Sequence, residues 1–429
     1  MIPSFVTPSL RVVSMPLQVQ PGFRLPFPMN SRMLARLGFP LSPSEGERGL
    51  RLMDAQRDQK PEVVSPSSSL LAGLRICFIA GTLGQGGAER QLFYMLQALK
   101  DAGASVRVLS LMSGEFWEAQ IRKLGFPVVS IDRSSSRLKR LLAISRAVRE
   151  FEPHVVQAQH FYVNLYAAIA ARLAGSRDIG AIRSNVLSEL ADLGAPLGRA
   201  SLRLPRVLAS NSRAAAAKLV RLGVPERRIF FLPNVVDESQ FVSVSSRDRD
   251  PFTILGVGRL VPPKRFDLFL QVLAQLDSSL PIKGIIAGDG PLRAELEAQA
   301  ARRGLLPGKV EFLGRVTDVA SLYRRANLLL LTSDYEGTPN AVLEAMASCV
   351  PVVGTSVGDM PDLLGGGIRG RLAASGDLPG LISATRELLC DPQAQNDIAG
   401  RALSYVQSHH SQPALAEHLG RLYSLSLRK

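Results

Sequence analysis

Glu336-Gly337-Thr338-Pro339-Asn340-Ala341-Val342-Leu343-Glu344 follows an apolar run, Leu328–Leu331, that closes in Thr332-Ser333. The order is that of a buried strand, a polar turn and a helix. Thr338 is the expected N-cap and Pro339 the expected first helical residue. The free N–H groups of such a helix start form an anion site. Glu336 falls in the loop before the helix and Glu344 on its second turn. One carboxylate can therefore face the reacting end of a ligand while the other holds a more distant hydroxyl. An anion between two carboxylates points to a nucleotide diphosphate with a sugar at each end.

The same alternation extends outward in both directions. Strands are expected at 253–257, 282–287, 310–313, 328–331 and 350–353, with helices at 266–276, 294–303, 319–325 and 339–348. Upstream, strands are expected at 74–80, 106–111, 128–131 and 155–158. Between them, Leu92, Met95, Leu96 and Leu99 have helical spacing, and Leu138, Leu141, Leu142 and Val148 fall on one helical face. Alternating strands and helices imply parallel sheets covered on both sides. The polar stretch 243–251 carries four charges and reads as a linker. The expected fold is α/β, with two Rossmann-like parallel-sheet domains facing across a cleft. The first domain spans 74–245 and the second 246–410, with a terminal helix in 411–429. Residues 1–73 are rich in Pro and Ser and lack periodicity, so they read as a disordered or mis-started extension, with at most a short helix at 29–37.

The 429 residues are enough for two substantial cores, and a hydrophobic fraction of 46% suits a globular chain. Cys77, Cys349 and Cys390 are too few and too far apart for a disulfide framework or a zinc site, which fits a reducing cytoplasm. No run of apolar residues is long enough to span a membrane, and the proline-rich start lacks the compact apolar core of a signal peptide. Residues 74–245 hold 23 basic and 13 acidic side chains, which is +10 of the total +14. Segment 133–149 has six cations and no acid, and segment 199–228 has eight cations and one acid. Neither carries the aromatic platforms of nucleic-acid binding, so an anionic membrane surface is the better partner; plain solvated helix faces are the alternative.

The loop Gly81-Thr82-Leu83-Gly84-Gln85-Gly86-Gly87 lacks dinucleotide spacing, because Glu89 stands where a third glycine belongs. Ser110 follows the second strand in place of the acid that would hold an adenosine ribose. Gly86 and Gly87 read instead as a turn that lets backbone N–H groups approach a donor's phosphate or sugar, or as a plain tight turn. Gly258-Arg259 closes a strand and Lys264 opens the next helix, so two cations stand where a diphosphate would bind; pairing with Asp267 is the bland alternative. Glu344 lies in a helix that is apolar nearly all round, through Val342, Leu343, Ala345 and Met346, and so needs a partner such as a ribose diol. Glu336 could instead cap the next helix. Arg183, Ser184 and Asn185 follow another strand-like run and could line the acceptor side.

Together these elements resemble the retaining family-4 glycosyltransferases. The carriers are Glu336 and Glu344 in the E-x7-E spacing, Gly86-Gly87-Ala88-Glu89-Arg90, Gly258-Arg259-Leu260 with Lys264, Gly288-Asp289-Gly290-Pro291, and Pro233-Asn234-Val235-Val236-Asp237. The resemblance implies a B-type glycosyltransferase fold whose last helix crosses back to the first domain. It implies a UDP- or GDP-linked sugar donor, a glycan or lipid-linked glycan acceptor, retention of configuration and no essential metal. Glu336 and His160 fall to the reacting sugar. Gly86, Gly87, Arg259, Lys264, Gly337, Thr338, Pro339, Asn340 and Glu344 fall to the donor. Two departures stand out. Gln157 and Gln159 occupy places where the family often has histidine, and Asp359-Met360-Pro361-Asp362 replaces its usual Gly-x-Pro-Glu. A nucleotide-sugar epimerase or a non-catalytic nucleotide-sugar binder on the same scaffold are the alternative readings.

Overall fold

A computed structural model describes residues 68–133, 135–183, 185–243, 250–276 and 281–428. The expected N-terminal extension, the short helix at 29–37, Ser184 and most of the expected linker lie outside the described residues, apart from the end of the extension.

Among the described residues, seven strands form the first sheet. They are β1 Arg75–Ala80, β2 Ser105–Ser110, β3 Val128–Ser130, β4 Val155–Ala158, β5 Arg177–Ile182, β6 Val207–Ser210 and β7 Ile229–Phe231. All pair in parallel, in the order β3-β2-β1-β4-β5-β6-β7. Six more form the second: β8 Phe252–Val257, β9 Ile282–Ala287, β10 Val310–Gly314, β11 Leu328–Leu331, β12 Val352–Thr355 and β13 Arg371–Ala373. These are also parallel, in the order β10-β9-β8-β11-β12-β13. In each sheet the chain starts in the middle, winds one way, and then crosses the first strand to wind the other way. Ligands of open α/β sheets bind at that reversal, beyond the strand C-termini. The reversals lie between β1 and β4 and between β8 and β11.

In the first lobe, helices Gly87–Asp101 and Gln412–Arg428 cover one face of the sheet. Leu92, Met95, Leu96 and Leu99 are buried as their spacing predicts. The terminal helix does return to the first lobe. Leu415, Leu419, Leu422 and Tyr423 join that lobe's core, and the Tyr423 hydroxyl donates to Gln157 Oε1 at 2.8 Å. Each of those leucines contributes about 2 kcal/mol of burial, enough to anchor the crossover. Helix Arg137–Phe151 covers the other face, with Val148 buried as expected but two of the expected leucines in solvent. Ile144, Ala147 and Val148 are buried, whereas Leu138 is 65% and Leu142 60% exposed. The helix meets the sheet through its second half, which leaves Leu138 and Leu142 in solvent.

Candidate functional site

At the β8/β11 reversal, the Pro262–Lys264 turn follows β8 and leads into helix Phe266–Gln275. Lys264 therefore sits in the turn and not in the helix it was expected to open. The Thr332 hydroxyl ties this turn to the end of β11, 2.8 Å from Arg265 O and 3.1 Å from Lys264 O. Arg265 stands in the left-handed region, at φ 49°. Its guanidinium is taken by Asp267 at 3.0 Å and by Asp334 at 3.1 Å. Asp267 is thus spent on Arg265 and does not pair with Lys264. The Lys264 ammonium turns inward to Glu336, Nζ to Oε1 2.5 Å, and Ser333 Oγ donates to the same oxygen at 2.7 Å. Arg259 is exposed at the end of β8.

The helix after Glu336 begins one residue later than expected. It spans Asn340–Ala347 with Pro339 as its N-cap, and Thr338 is not the cap. The Thr338 hydroxyl is drawn elsewhere, 2.6 Å from Asn211 O and 2.7 Å from Asp359 Oδ2, so it bridges the lobes. Asn340 also faces the first lobe. Its amide donates to Gly87 O at 3.0 Å and its Oδ1 accepts from Gln91 Nε2 at 3.2 Å and Asn234 Nδ2 at 2.9 Å. Gly87 is needed for this approach, since a Cβ there would lie 2.5 Å from Asn340 Nδ2. Gly86 is the N-cap of helix Gly87–Asp101, with no side-chain cap. Gly337 accepts from the Asp359 N–H at 3.1 Å. Gly358, at φ 55°, could carry no Cβ without meeting Glu336 O.

Asp359, where the resembled family has glycine, is the hub of this seam. Its carboxylate accepts from Ser212 Oγ at 2.8 Å, Ala214 N at 2.9 Å and Arg213 N at 3.0 Å. It thereby caps helix Arg213–Arg221 from the opposite lobe. Pro361 stands in the first turn of helix Met360–Leu363, as expected.

At the β1/β4 reversal, His160 follows β4. Gly81 N–H donates to its Nδ1 at 3.1 Å, so the ring proton is on Nε2 and is given to Glu89 Oε1 at 3.0 Å. Both ring nitrogens are engaged by the protein. Gln157 and Gln159, in the places of the family's histidines, serve as struts. Gln157 receives Tyr423, and Gln159 Nε2 donates to Ala88 O at 2.6 Å. Arg183, at the end of β5, turns into the protein, with Nη2 3.8 Å from Met95 Sδ and a buried Nε without a hydrogen-bond partner. Burial pushes its guanidinium down to about 10. Asn185 caps helix Val186–Leu193, its side chain accepting from Leu187 N at 3.0 Å.

Glu344 is 5% exposed. Its Oε1 pairs with Arg90 of the first lobe, and its Oε2 lies 3.0 Å from the Tyr323 hydroxyl. Sequence reasoning missed Arg90, Tyr323 and Asp359 as site residues. Arg90 stood inside a quoted motif and Asp359 at a quoted departure, so both had a signal; Tyr323 had none.

The family model for Glycosyltransferase Family 4 matches residues 85–240, and that for Glycosyl transferases group 1 matches residues 251–391. A Campylobacter jejuni protein, GalNAc-alpha-(1->4)-GalNAc-alpha-(1->3)-diNAcBac-PP-undecaprenol alpha-1,4-N-acetyl-D-galactosaminyltransferase, is 30% identical over 292 residues, which is 64% of this chain and 77% of that protein. The chain belongs to glycosyltransferase family 4. The lipopolysaccharide core biosynthesis glycosyltransferase LpsE of Rhizobium meliloti is 24% identical over 342 residues, covering 77% of this chain and 94% of its own. Anabaena HepE, solved in complex with UDP-glucose, superposes with a TM-score of 0.73 at 21% identity, over 82% of this chain and 99% of that one. The two parallel sheets are those of the B-type glycosyltransferase fold. This glycosyltransferase thus has relatives named for transfer to an undecaprenol-linked glycan and for lipopolysaccharide core biosynthesis.

Proposed function

We infer that this glycosyltransferase moves a sugar from a UDP- or GDP-linked donor to a glycan or lipid-linked glycan acceptor, with retention of configuration. The observation that carries this reading is the Lys264–Glu336 pair at the β8/β11 reversal, with Ser333 on the same carboxylate. A donor diphosphate arriving there meets Lys264, Arg259 and the start of helix Asn340–Ala347. The cations stabilise the charge that grows on the leaving phosphate, without a call on a metal. The sugar carbon's bond to the phosphate oxygen breaks as its bond to the acceptor oxygen forms on the same face. The acceptor's proton passes to the departing phosphate. Glu336 orients and stabilises the sugar end, and Glu344 holds the nucleotide's ribose. His160, fixed by Gly81 and Glu89, shapes the sugar side, and Asn185, at the head of helix Val186–Leu193, borders the acceptor side; Arg183, turned into the protein, does not. The Campylobacter relative's undecaprenol-linked acceptor and HepE's UDP-glucose both support the reading.

The acceptor side would meet an anionic membrane surface on its cytoplasmic face. Among the described residues no helix is long and apolar enough to cross a membrane. The exposed Leu138 and Leu142 share helix Arg137–Phe151 with exposed Arg137, Lys139, Arg146 and Arg149. Apolar anchors interleaved with cations are the pattern of interfacial helices.

The test is a panel of UDP- and GDP-sugars with lipid-linked and free glycan acceptors, read by product mass and by the anomeric coupling of the new bond, with and without EDTA. Transfer with retention in EDTA is expected. An inverted product, strict dependence on Mg²⁺ or Mn²⁺, or donor isomerised without an acceptor would overturn it.

A further inference from the structure

Glu344 sits in a helix whose neighbours Val342, Leu343, Ala345 and Met346 are all buried. A carboxylate there needs partners, because an unpaired buried charge is costly. Among the described residues of its own lobe, the Tyr323 hydroxyl is its partner, 3.0 Å from Oε2 and equally 3.0 Å from Ala341 O. The countercharge comes from the other lobe: Arg90 Nη1 on Oε1. Arg90 is itself well placed to be rigid. It lies on the first turn of helix Gly87–Asp101, which is held against helix Asn340–Ala347 by Asn340 to Gly87 and by Gln91 to Asn340. Gln91 is fixed in turn by both its donor and its acceptor, at 2.7 and 2.9 Å from the Val235 backbone. An ionised carboxylate accepts up to about four hydrogen bonds. With one taken on each oxygen, two remain, which is what a vicinal diol requires.

We propose that Arg90 is a positioning residue for the nucleotide: from the opposite lobe it fixes the Glu344 carboxylate, so the ribose site is complete only across a closed cleft. This rests on the donor reading above. A mere tie between the lobes would change stability without making nucleotide affinity depend on Glu344. A positioning role makes the two residues act as one unit in binding.

The test is calorimetry of the full chain with UDP and GDP for the parent, Arg90→Ala, Arg90→Lys, Glu344→Gln and the Arg90→Ala/Glu344→Gln double variant. Melting curves check folding, and Arg90→Gln replaces Arg90→Ala if the latter does not fold. Loss of a charge-assisted contact predicts that Arg90→Ala weakens diphosphate binding by about tenfold or more. Arg90→Lys should recover most of that loss. In the Glu344→Gln background, removing Arg90 should change binding by less than about twofold. In turnover, KM for the donor should rise more than kcat falls. Unchanged binding by Arg90→Ala, or the same fold-loss in both backgrounds, would overturn the positioning role alone. A parent chain that bound neither diphosphate would overturn the donor reading and this inference with it.

Discussion

Lys264 Nζ and Glu336 Oε1 meet at 2.5 Å across the β8/β11 reversal, so the cation expected to receive the diphosphate and the carboxylate expected to face the sugar are neighbours. Each is the other's countercharge, and on the proposed donor reading a phosphate would take over the ammonium. Lys264→Ala should weaken donor binding and slow transfer, at a cost of about 1.5–3 kcal/mol for a charge-assisted contact. Donor KM and kcat check it; unchanged values for both would remove Lys264 from the site.

Glu336→Gln separates the two glutamates. It keeps the shape and the Ser333 contact but removes the charge. Binding of free UDP or GDP should stay nearly unchanged while turnover at saturating donor drops, since positive charge develops on the sugar ring in the transition state. Glu344→Ala should do the reverse and weaken the free diphosphate. Equal weakening of diphosphate binding by both, with turnover intact, would show that they share one job.

Asp359→Ala removes a cap from helix Arg213–Arg221 and the partner of Thr338 in one step. Loss of a helix cap alone costs about 0.5–2 kcal/mol. A lower midpoint in urea is expected, with Asp359→Asn intermediate. A midpoint equal to the parent's would mean that water replaces the carboxylate at no cost.

His410 is buried, with Nδ1 2.7 Å from the Asn234 carbonyl, to which it must donate. Burial pushes the imidazole down from 6.5 to about 4. The folded state therefore holds it neutral while the unfolded state protonates it near 6.5. Below that pH the unfolded chain binds the extra proton, so stability falls as pH drops from about 6.5 to about 4, by roughly 3 kcal/mol, and His410 adds no further loss below. Unfolding midpoints across this window should slope less in His410→Gln. Some slope should remain, because burial lowers His418 as well. An identical slope in the variant would move the effect to other groups.

Leu138→Ser with Leu142→Ser should reduce co-sedimentation with vesicles containing anionic lipid, without lowering the melting temperature, because both side chains are already in solvent. Binding of the parent should fall with salt. Equal binding to neutral vesicles, or a double variant that binds as well as the parent, would return this helix to plain solvated surface.

Particular residues show how far the reading of the chain reached. The strand–helix alternation and the burial of Leu92, Met95, Leu96 and Leu99 were legible, because periodicity and turn residues act over a few positions; the return of the last helix was implied by the family resemblance alone. Strands β6, β7 and β13 were not read: Val207–Ser210 and Arg371–Ala373 mix apolar with small or charged residues, and Ile229–Phe231 is a three-residue run directly after Arg227-Arg228. Leu138 and Leu142 have the same spacing as buried residues. Only the packing of their helix through its second half leaves them in water.

Sequence by itself determined the two parallel-sheet lobes and the lobe on which each motif residue falls, since these follow from local spacing of apolar, glycine and charged residues. Tertiary structure alone decided which charges meet. Asp267 lies close in sequence to Lys264 but is taken by Arg265. Glu344 finds its cation on a helix more than two hundred residues away. Thr338 gives its hydroxyl to the other lobe instead of capping its own helix. Coulombic and hydrogen-bond partners are set by distance in space, and two lobes closing on each other bring together groups that no spacing along the chain relates.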